Sequence, residues 1–217
     1  MTAPRLVFDA DSHRYTLDGV RRWSVTERLV GLSIINKDYY TWRARVRGKA
    51  AHLGAQLVEQ GGVDWHSVAE TERALSAPVA PYIRGWEKFL EKTGWRSVVI
   101  EKPMYHPIYL YVGTPDRIGF WPDGQEGLLD IKTGGPEDWH ELQEGAYNEM
   151  APRLSTKGVR RLTTVHLTED GDFYITNMKD HSAGRVFLAM NATHQWGLDH
   201  GVYTDDREQP AAVATAA

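Results

Sequence analysis

The chain contains no cysteine among its 217 residues. That excludes disulfides, thiolate zinc sites and a cysteine-ligated iron–sulfur cluster, and it fits a reducing compartment. No apolar run is long enough to cross a bilayer, and Met1 to Phe8 lacks the apolar stretch of a secretory leader. The expectation is a soluble, cytoplasmic protein without a membrane partner. A basic excess is missing as well: the net charge is −4 and the pI about 6.1. This argues against a dedicated sequence-independent nucleic-acid binder. It leaves room for an enzyme whose acidic metal pocket lies beside a local basic patch. Internal repeats and low-complexity linkers are also absent, and the length suits one domain with a real core.

The order of elements points to an α/β fold. Leu6-Val7-Phe8 and His13 to Leu17 read as short strands, with Asp18-Gly19 as a hairpin turn before Val20. Ser24 precedes Val25-Thr26-Glu27, an N-cap with a capping-box glutamate. Helices are expected from about Asp38 to Gln60, closed by Gly61-Gly62, from His66 to Leu75, and from Tyr82 to Lys92. Strands follow over Arg96 to Pro107, Tyr109 to Val112 and Gly127 to Thr133, with Pro122-Asp123-Gly124 as the turn of a hairpin. A helix from Glu137 to about Arg153, strands over Arg161 to Leu167 and Asp172 to Met178, and a helix from Ser182 to His200 complete the pattern. The expected architecture is a mixed central β-sheet with helices on both faces. Gln209 to Ala217 is Ala-rich and reads as disordered.

The chemistry concentrates in Gly113-Thr114-Pro115-Asp116 and Asp130-Ile131-Lys132. Alternation along a strand puts Asp130 and Lys132 on one face and Leu129 and Ile131 on the other. Asp116, on the neighbouring strand, can share the Asp130 face. Two carboxylates suit hard, oxygen-preferring Mg2+, and such ions activate water and neutralise a phosphate, singly or as a pair roughly 3.5–4 Å apart. The backbone carbonyl of Ile131 is a further candidate ligand. Lys132 can position or deprotonate the water, or stabilise the developing anion. Gln143 and Tyr147, spaced i,i+4 on the following helix, can orient Lys132 and donate to a phosphate oxygen. His52 can complete a metal shell as a neutral imidazole, and Gly48, one turn back, can let its helix approach the sheet. Arg43, Arg45, Arg47 and Lys49 form one candidate basic patch, and Lys157, Arg160 and Arg161 a second. Taken singly, each part also has an ordinary structural role: a solvated strand face, a polar helix edge, a lone helical histidine.

In order, Gly48…His52, Asp116, Asp130-Ile131-Lys132 and Gln143…Tyr147 resemble the PD-(D/E)XK nuclease superfamily. The likeness is to its RecB-like, phage-type exonuclease branch, in the forms without an iron–sulfur cluster. The motifs span residues 48 to 147, and a looser likeness runs from 8 to about 178. The resemblance implies a restriction-endonuclease-like core and Mg2+- or Mn2+-dependent DNA cleavage. His52, Asp116 and Asp130 would be metal ligands and Lys132 the catalytic lysine, with Glu101 matching an acidic position of some members. It implies one nuclease domain over residues 1–207, with N-terminal strands and helices in 1–95, a catalytic core in 96–207 and a tail at 208–217. The implied partner is DNA, in recombination, repair or replication in a bacterial or phage-infected cell. A single-strand annealing protein and an oligomer are compatible additions. The competing reading is a non-catalytic DNA-binding or assembly protein on the same fold.

Other chemistries fit less well. His140-Glu141 lacks the second zincin histidine, because Glu144 stands in its place, and Gly48-Lys49 lacks the rest of a phosphate loop. Eight Trp and ten Tyr raise the possibility of a glycosidase, but no carboxylate pair is free of Lys132. The aromatics read as core, including Trp42, Trp86 and Trp139, with Trp121 or Tyr105 as candidates to stack on single-stranded bases.

Overall fold

A computed structural model of the chain describes residues 4–9, 12–36, 41–156 and 158–205. The tail expected at 208–217, the first residues of the helix expected from Asp38, and Lys157 of the second basic group lie outside them. Strands β1 (Leu6–Asp9), β2 (Arg14–Leu17) and β3 (Val20–Arg21) form a small antiparallel sheet in that order. Asp18 and Gly19, with φ of 52° and 79°, make the β2–β3 turn that an Asp-Gly pair favours. Helix α1 (Val25–Gly31) starts from a complete capping box: Glu27 N donates to Ser24 Oγ at 3.2 Å, and Ser24 N donates to Glu27 Oε2 at 2.8 Å. Helices α2 (Trp42–Glu59), α3 (Trp65–Leu75) and α4 (Ala80–Thr93) follow. Gly94, at φ 65°, ends α4 in the left-handed cap that glycine allows.

The second half alternates strands and helices: β4 (Arg96–Ile100), β5 (Met104–Tyr105), β6 (Val112–Gly113), β7 (Arg117–Phe120), β8 (Glu126–Lys132), α5 (Trp139–Met150), β9 (Arg161–Leu167), β10 (Phe173–Asn177) and α6 (Ala183–Asp199). The central sheet runs β10-β9-β8-β7-β4. Only the β8–β9 pair is parallel, so α5 is its crossover, and the sheet is mixed. Glu126 to Ile131 of β8 are all buried, as befits a central strand covered on both faces. Leu129 and Ile131 pack with Val165 and Leu167 against Ala51 and Ala55 of α2 and Tyr82, Trp86 and Phe89 of α4. Leu128, Ile118 and Leu162 pack against α1, α5 and α6 through Leu29, Ala146 and Phe187. The strand alternation thus aims Asp130 and Lys132 toward α5.

Several expectations need correction. The strand expected over Arg96 to Pro107 splits into β4, in the central sheet, and β5, which pairs with β6. Of the strand expected over Tyr109 to Val112, only Val112 is strand, in β6; Pro107 to Tyr109 form a tight turn in which Ile108 N and Tyr109 N donate to His106 Nδ1, and Leu110 after it takes φ 53°. The hairpin partner of β8 is instead β7, directly after Asp116. Its pattern is masked by Gly119, where a Cβ would lie 2.1 Å from Arg96 O and only hydrogen fits. Gly48 is not a steric requirement, since a Cβ there would meet nothing nearer than Thr133 Oγ1 at 3.8 Å. The close approach of α2 is at Gly54, where a Cβ would lie 2.4 Å from Ile83 Cδ1. Trp42 is not core, being 60% exposed. Trp121 is buried edge-to-face against Trp95, so it offers no stacking surface to a base, whereas Tyr105 is half-buried in β5.

Candidate metal centre

Three elements bring three ligand-type side chains to one point. His52 comes from α2, Glu101 from the residue after β4, and Asp116 from the residue before β7, and their ligand atoms lie within 4.8 Å of one another. His52 Nδ1 lies 3.3 Å from Glu101 Oε1 and 3.6 Å from Asp116 Oδ1. His52 Nε2 donates to the Ile131 carbonyl at 2.9 Å, and Ile131 N donates to Asp116 Oδ2 at 2.6 Å. The β8 backbone therefore grips both a histidine and a carboxylate of the trio. Glu101 holds φ 45°, a conformation that favours glycine, with its N–H on Asp116 O at 3.0 Å. Such strain commonly marks positions where a side chain must be aimed.

The donor set suits a divalent cation. A metal-bound histidine usually donates its second N–H to a backbone carbonyl or carboxylate. Here Nε2 faces the Ile131 carbonyl while Nδ1 faces both carboxylates. Asp130 is held apart from the trio by Lys132, whose Nζ lies 2.5 Å from Asp130 Oδ2. That buried oxygen is engaged by the ammonium, so Asp130 would have to share it with Lys132 to serve as a further ligand. Around the trio, the carboxylates Glu59, Glu101, Asp116 and Asp130 face two fixed cations, Arg117 and Lys132. With His52 neutral, as a metal ligand must be, the balance is negative by two, which one divalent ion offsets; without an ion, protonated His52 makes up one of those charges.

The protonation pattern follows from this crowding. Burial opposes a charged His52, but the carboxylates of Asp116 and Glu101 raise its pKa to about 9. Burial, with Glu101 close by, raises Asp116, and burial with Asp116 close by raises Asp130. Lys132 is largely but not fully buried, yet Asp130 and Asp116 hold it above its ordinary value, so it carries its charge. It donates to Gln143 Oε1 at 2.9 Å, and Gln143 Nε2 donates to Tyr147 OH at 3.3 Å. Tyr147 packs over Gly113, where a Cβ would lie 2.6 Å from Tyr147 Cε1. The chain Lys132–Gln143–Tyr147 is thus the one that the i,i+4 spacing leads one to expect.

Two cavities flank this centre. One, of about 520 Å³, holds His52, Glu101, Asp116 and Tyr147 with Lys49. The other, of about 230 Å³, holds Lys132 and His52 with Arg45 and Arg47. The first basic group is accordingly at the site, except for Arg43, which is exposed and lines neither cavity. Arg47 also lies over the Tyr82 ring and 3.6 Å from Glu169. The second group does not form a patch. Arg160 is buried, donating to Glu126 Oε1 through Nε at 2.8 Å and through NH2 at 2.6 Å, and Arg161 donates to Gln125 at 2.6 Å.

Sequence reasoning missed three contributors: Arg117, its partner Glu59, and Glu144. Arg117, fully buried, donates to Glu59 at 2.6 Å, to Glu101 at 3.2 Å and to the Asp116 carbonyl at 2.7 Å, locking two walls of the site together. Its position next to Asp116 was visible, but Glu59 lies 58 residues away. Glu144 of α5 is buried beside Asp130 and accepts from Thr164 Oγ1. Comparison of the chain with models of known families and with curated proteins finds no match. Among the described residues no helix is long and apolar enough to cross a membrane.

Proposed function

We propose that the chain is a divalent-metal-dependent deoxyribonuclease of PD-(D/E)XK type on a restriction-endonuclease-like core. We take it to be an exonuclease serving DNA recombination, repair or replication in a bacterial or phage-infected cell. One observation carries the reading: His52, Glu101 and Asp116 converge within 4.8 Å, and the adjacent strand presents a charged Lys132 aligned by Gln143. The three residues would hold Mg2+ or Mn2+, with Asp130 as a further donor and the Ile131 carbonyl fixing His52 from behind. Bound there, the ion supplies Lewis-acid stabilisation of phosphoryl oxygens and a more acidic water.

The remaining work falls to side chains. In hydrolysis, a water oxygen bonds to phosphorus and gives up a proton to solvent, the phosphorus–ester oxygen bond breaks, and the leaving oxygen takes up a proton from solvent in its place. Lys132, held as an ammonium, is suited to neutralising charge on the phosphoryl group as that bond exchange proceeds. Gln143 keeps it from swinging away. Tyr147, whose phenol is kept protonated by burial and the nearby Asp116 and Asp130 carboxylates, can donate to a phosphate oxygen. Arg45, Arg47 and Lys49 supply the local positive rim that a chain of net charge −4 needs to approach DNA.

The test is incubation of purified protein with linear and circular DNA, in Mg2+ or in EDTA. Linear DNA should be degraded in Mg2+ alone, circular DNA spared, and Asp116→Ala inactive though folded. DNA bound but never cut, or cutting that EDTA and Asp116→Ala leave intact, would refute the proposal.

A further inference from the structure

The larger cavity has a wall that metal-assisted hydrolysis leaves unused. Phe8 of β1 stacks on Tyr15 of β2, with ring centroids 4.5 Å apart and planes 30° from parallel, and His13 meets Phe8 edge-on at 5.2 Å. Tyr15 is buried, and its hydroxyl pairs with Thr114 Oγ1 at 2.8 Å, two residues from Asp116. The aromatic stack is therefore pinned to the segment that carries a ligand. From α2, Leu53 lines the same cavity and is 57% exposed, although Ala51, Gly54 and Ala55 around it are buried. Lys49, one turn back on that helix, lines the cavity too. A half-buried ring, an exposed apolar side chain and a lysine, all lining one cavity with the trio, match the parts of a nucleotide.

We infer that this cavity is a base-binding subsite, taking one unstacked nucleobase of a DNA strand against Phe8 and Leu53. The substrate is then a single-stranded or frayed end rather than an intact duplex. The inference rests on the nuclease reading and specifies its substrate. A space of about 520 Å³ holds a nucleoside-sized ligand, and a base can lay its face on Phe8 only after leaving the stack of its own strand. Contact through a ring face and an alkyl chain tolerates any base, since every base has a π-face.

The test uses the full chain and oligonucleotides carrying terminal 2-aminopurine, single-stranded or in a blunt duplex, with Ca2+ replacing Mg2+ to allow binding without turnover. The wild type should bind the single strand more tightly than the duplex and quench its fluorescence. Phe8→Leu, which keeps a cover over Tyr15 but lacks a π-face, should bind the single strand about 5- to 150-fold more weakly and lose the quench. Phe8→Trp should restore both. Equal affinity and quench in wild type and Phe8→Leu would overturn the subsite, as would a wild type that prefers the blunt duplex. Mg2+-dependent cleavage is scored separately on the same oligonucleotides. Absence of cutting defeats the nuclease reading, whereas cutting with indifference to Phe8 defeats the subsite alone.

Discussion

Glu144 offers a quantitative test of how dry the floor of the site is. It is 1% exposed. Burial first, and then the neighbouring Asp130 carboxylate, lift its pKa from 4.5 to about 8, against the hydrogen bond from Thr164 and the charge of Lys132. Between those two values the unfolded chain has lost a proton that the folded chain keeps. Unfolding then releases the proton, so stability falls as pH rises from about 4.5 to 8. Each tenfold difference in proton affinity between the folded and unfolded chain is worth about 1.4 kcal/mol, so the loss is on the order of 5 kcal/mol by about pH 9. Glu144→Gln removes the titration while keeping an oxygen for Thr164. Urea denaturation of both proteins in EDTA at about pH 5, 7 and 9 reads the effect, because groups other than Asp130 and Lys132, which feel the Glu144 charge, titrate alike in the two. The variant should be close to wild type at the acid end and more stable by a few kcal/mol at the alkaline end. A stability difference that does not change with pH would show that Glu144 ionises freely, and the reasoning from burial would be wrong.

Three further outcomes follow from other parts of the fold. Gly54→Ala should destabilise by about 1–3 kcal/mol through its clash with Ile83, whereas Gly48→Ala should stabilise by about 0.5–1 kcal/mol, both read by urea denaturation. Glu126→Gln should cost about 3–5 kcal/mol, because it strands the buried Arg160. Burial works against ionised Glu126, but donors from Leu154, Ser155 and Arg160 hold its pKa below 4.5. Its contribution is thus complete above pH 4.5 and fades as pH falls through the folded value, so the variant should lose part of the wild type's acid sensitivity in a denaturation series. Lys132→Ala should lower kcat by about 10²–10³-fold with DNA affinity changed far less; equal losses in single-turnover rate and Kd would make Lys132 a binding residue.

What could be read from the chain, and what could not, divides along the range of the interactions. The helix bearing Gln143 and Tyr147 and the strand bearing Asp130 and Lys132 announce themselves by local period and by glycine and proline stops. Their side chains meet because i,i+4 and i,i+2 spacings are short-range geometry. The Ser24–Glu27 capping box is equally local. β7 escaped because a short strand containing Arg117 and Gly119 carries almost no alternation, and both residues answer to distant demands: a salt bridge to Glu59 and the backbone of Arg96. Glu101 was visible as an acid on a strand. Its place in the trio, with Asp130 turned to Lys132, depends on a kinked backbone that no periodicity reports. Arg160 read as surface charge because its buried partner Glu126 lies 34 residues earlier.

A divalent ion at His52, Glu101 and Asp116 is what the proposed chemistry requires first. Titration of the metal-free protein with Mn2+, followed by the electron paramagnetic resonance of the free ion, measures that directly. One ion should bind per chain in the wild type, and Asp116→Asn and Glu101→Gln should each weaken it at least tenfold without loss of fold. Mn2+ that remains free at every ratio, or that binds equally well to all three proteins, would contradict it.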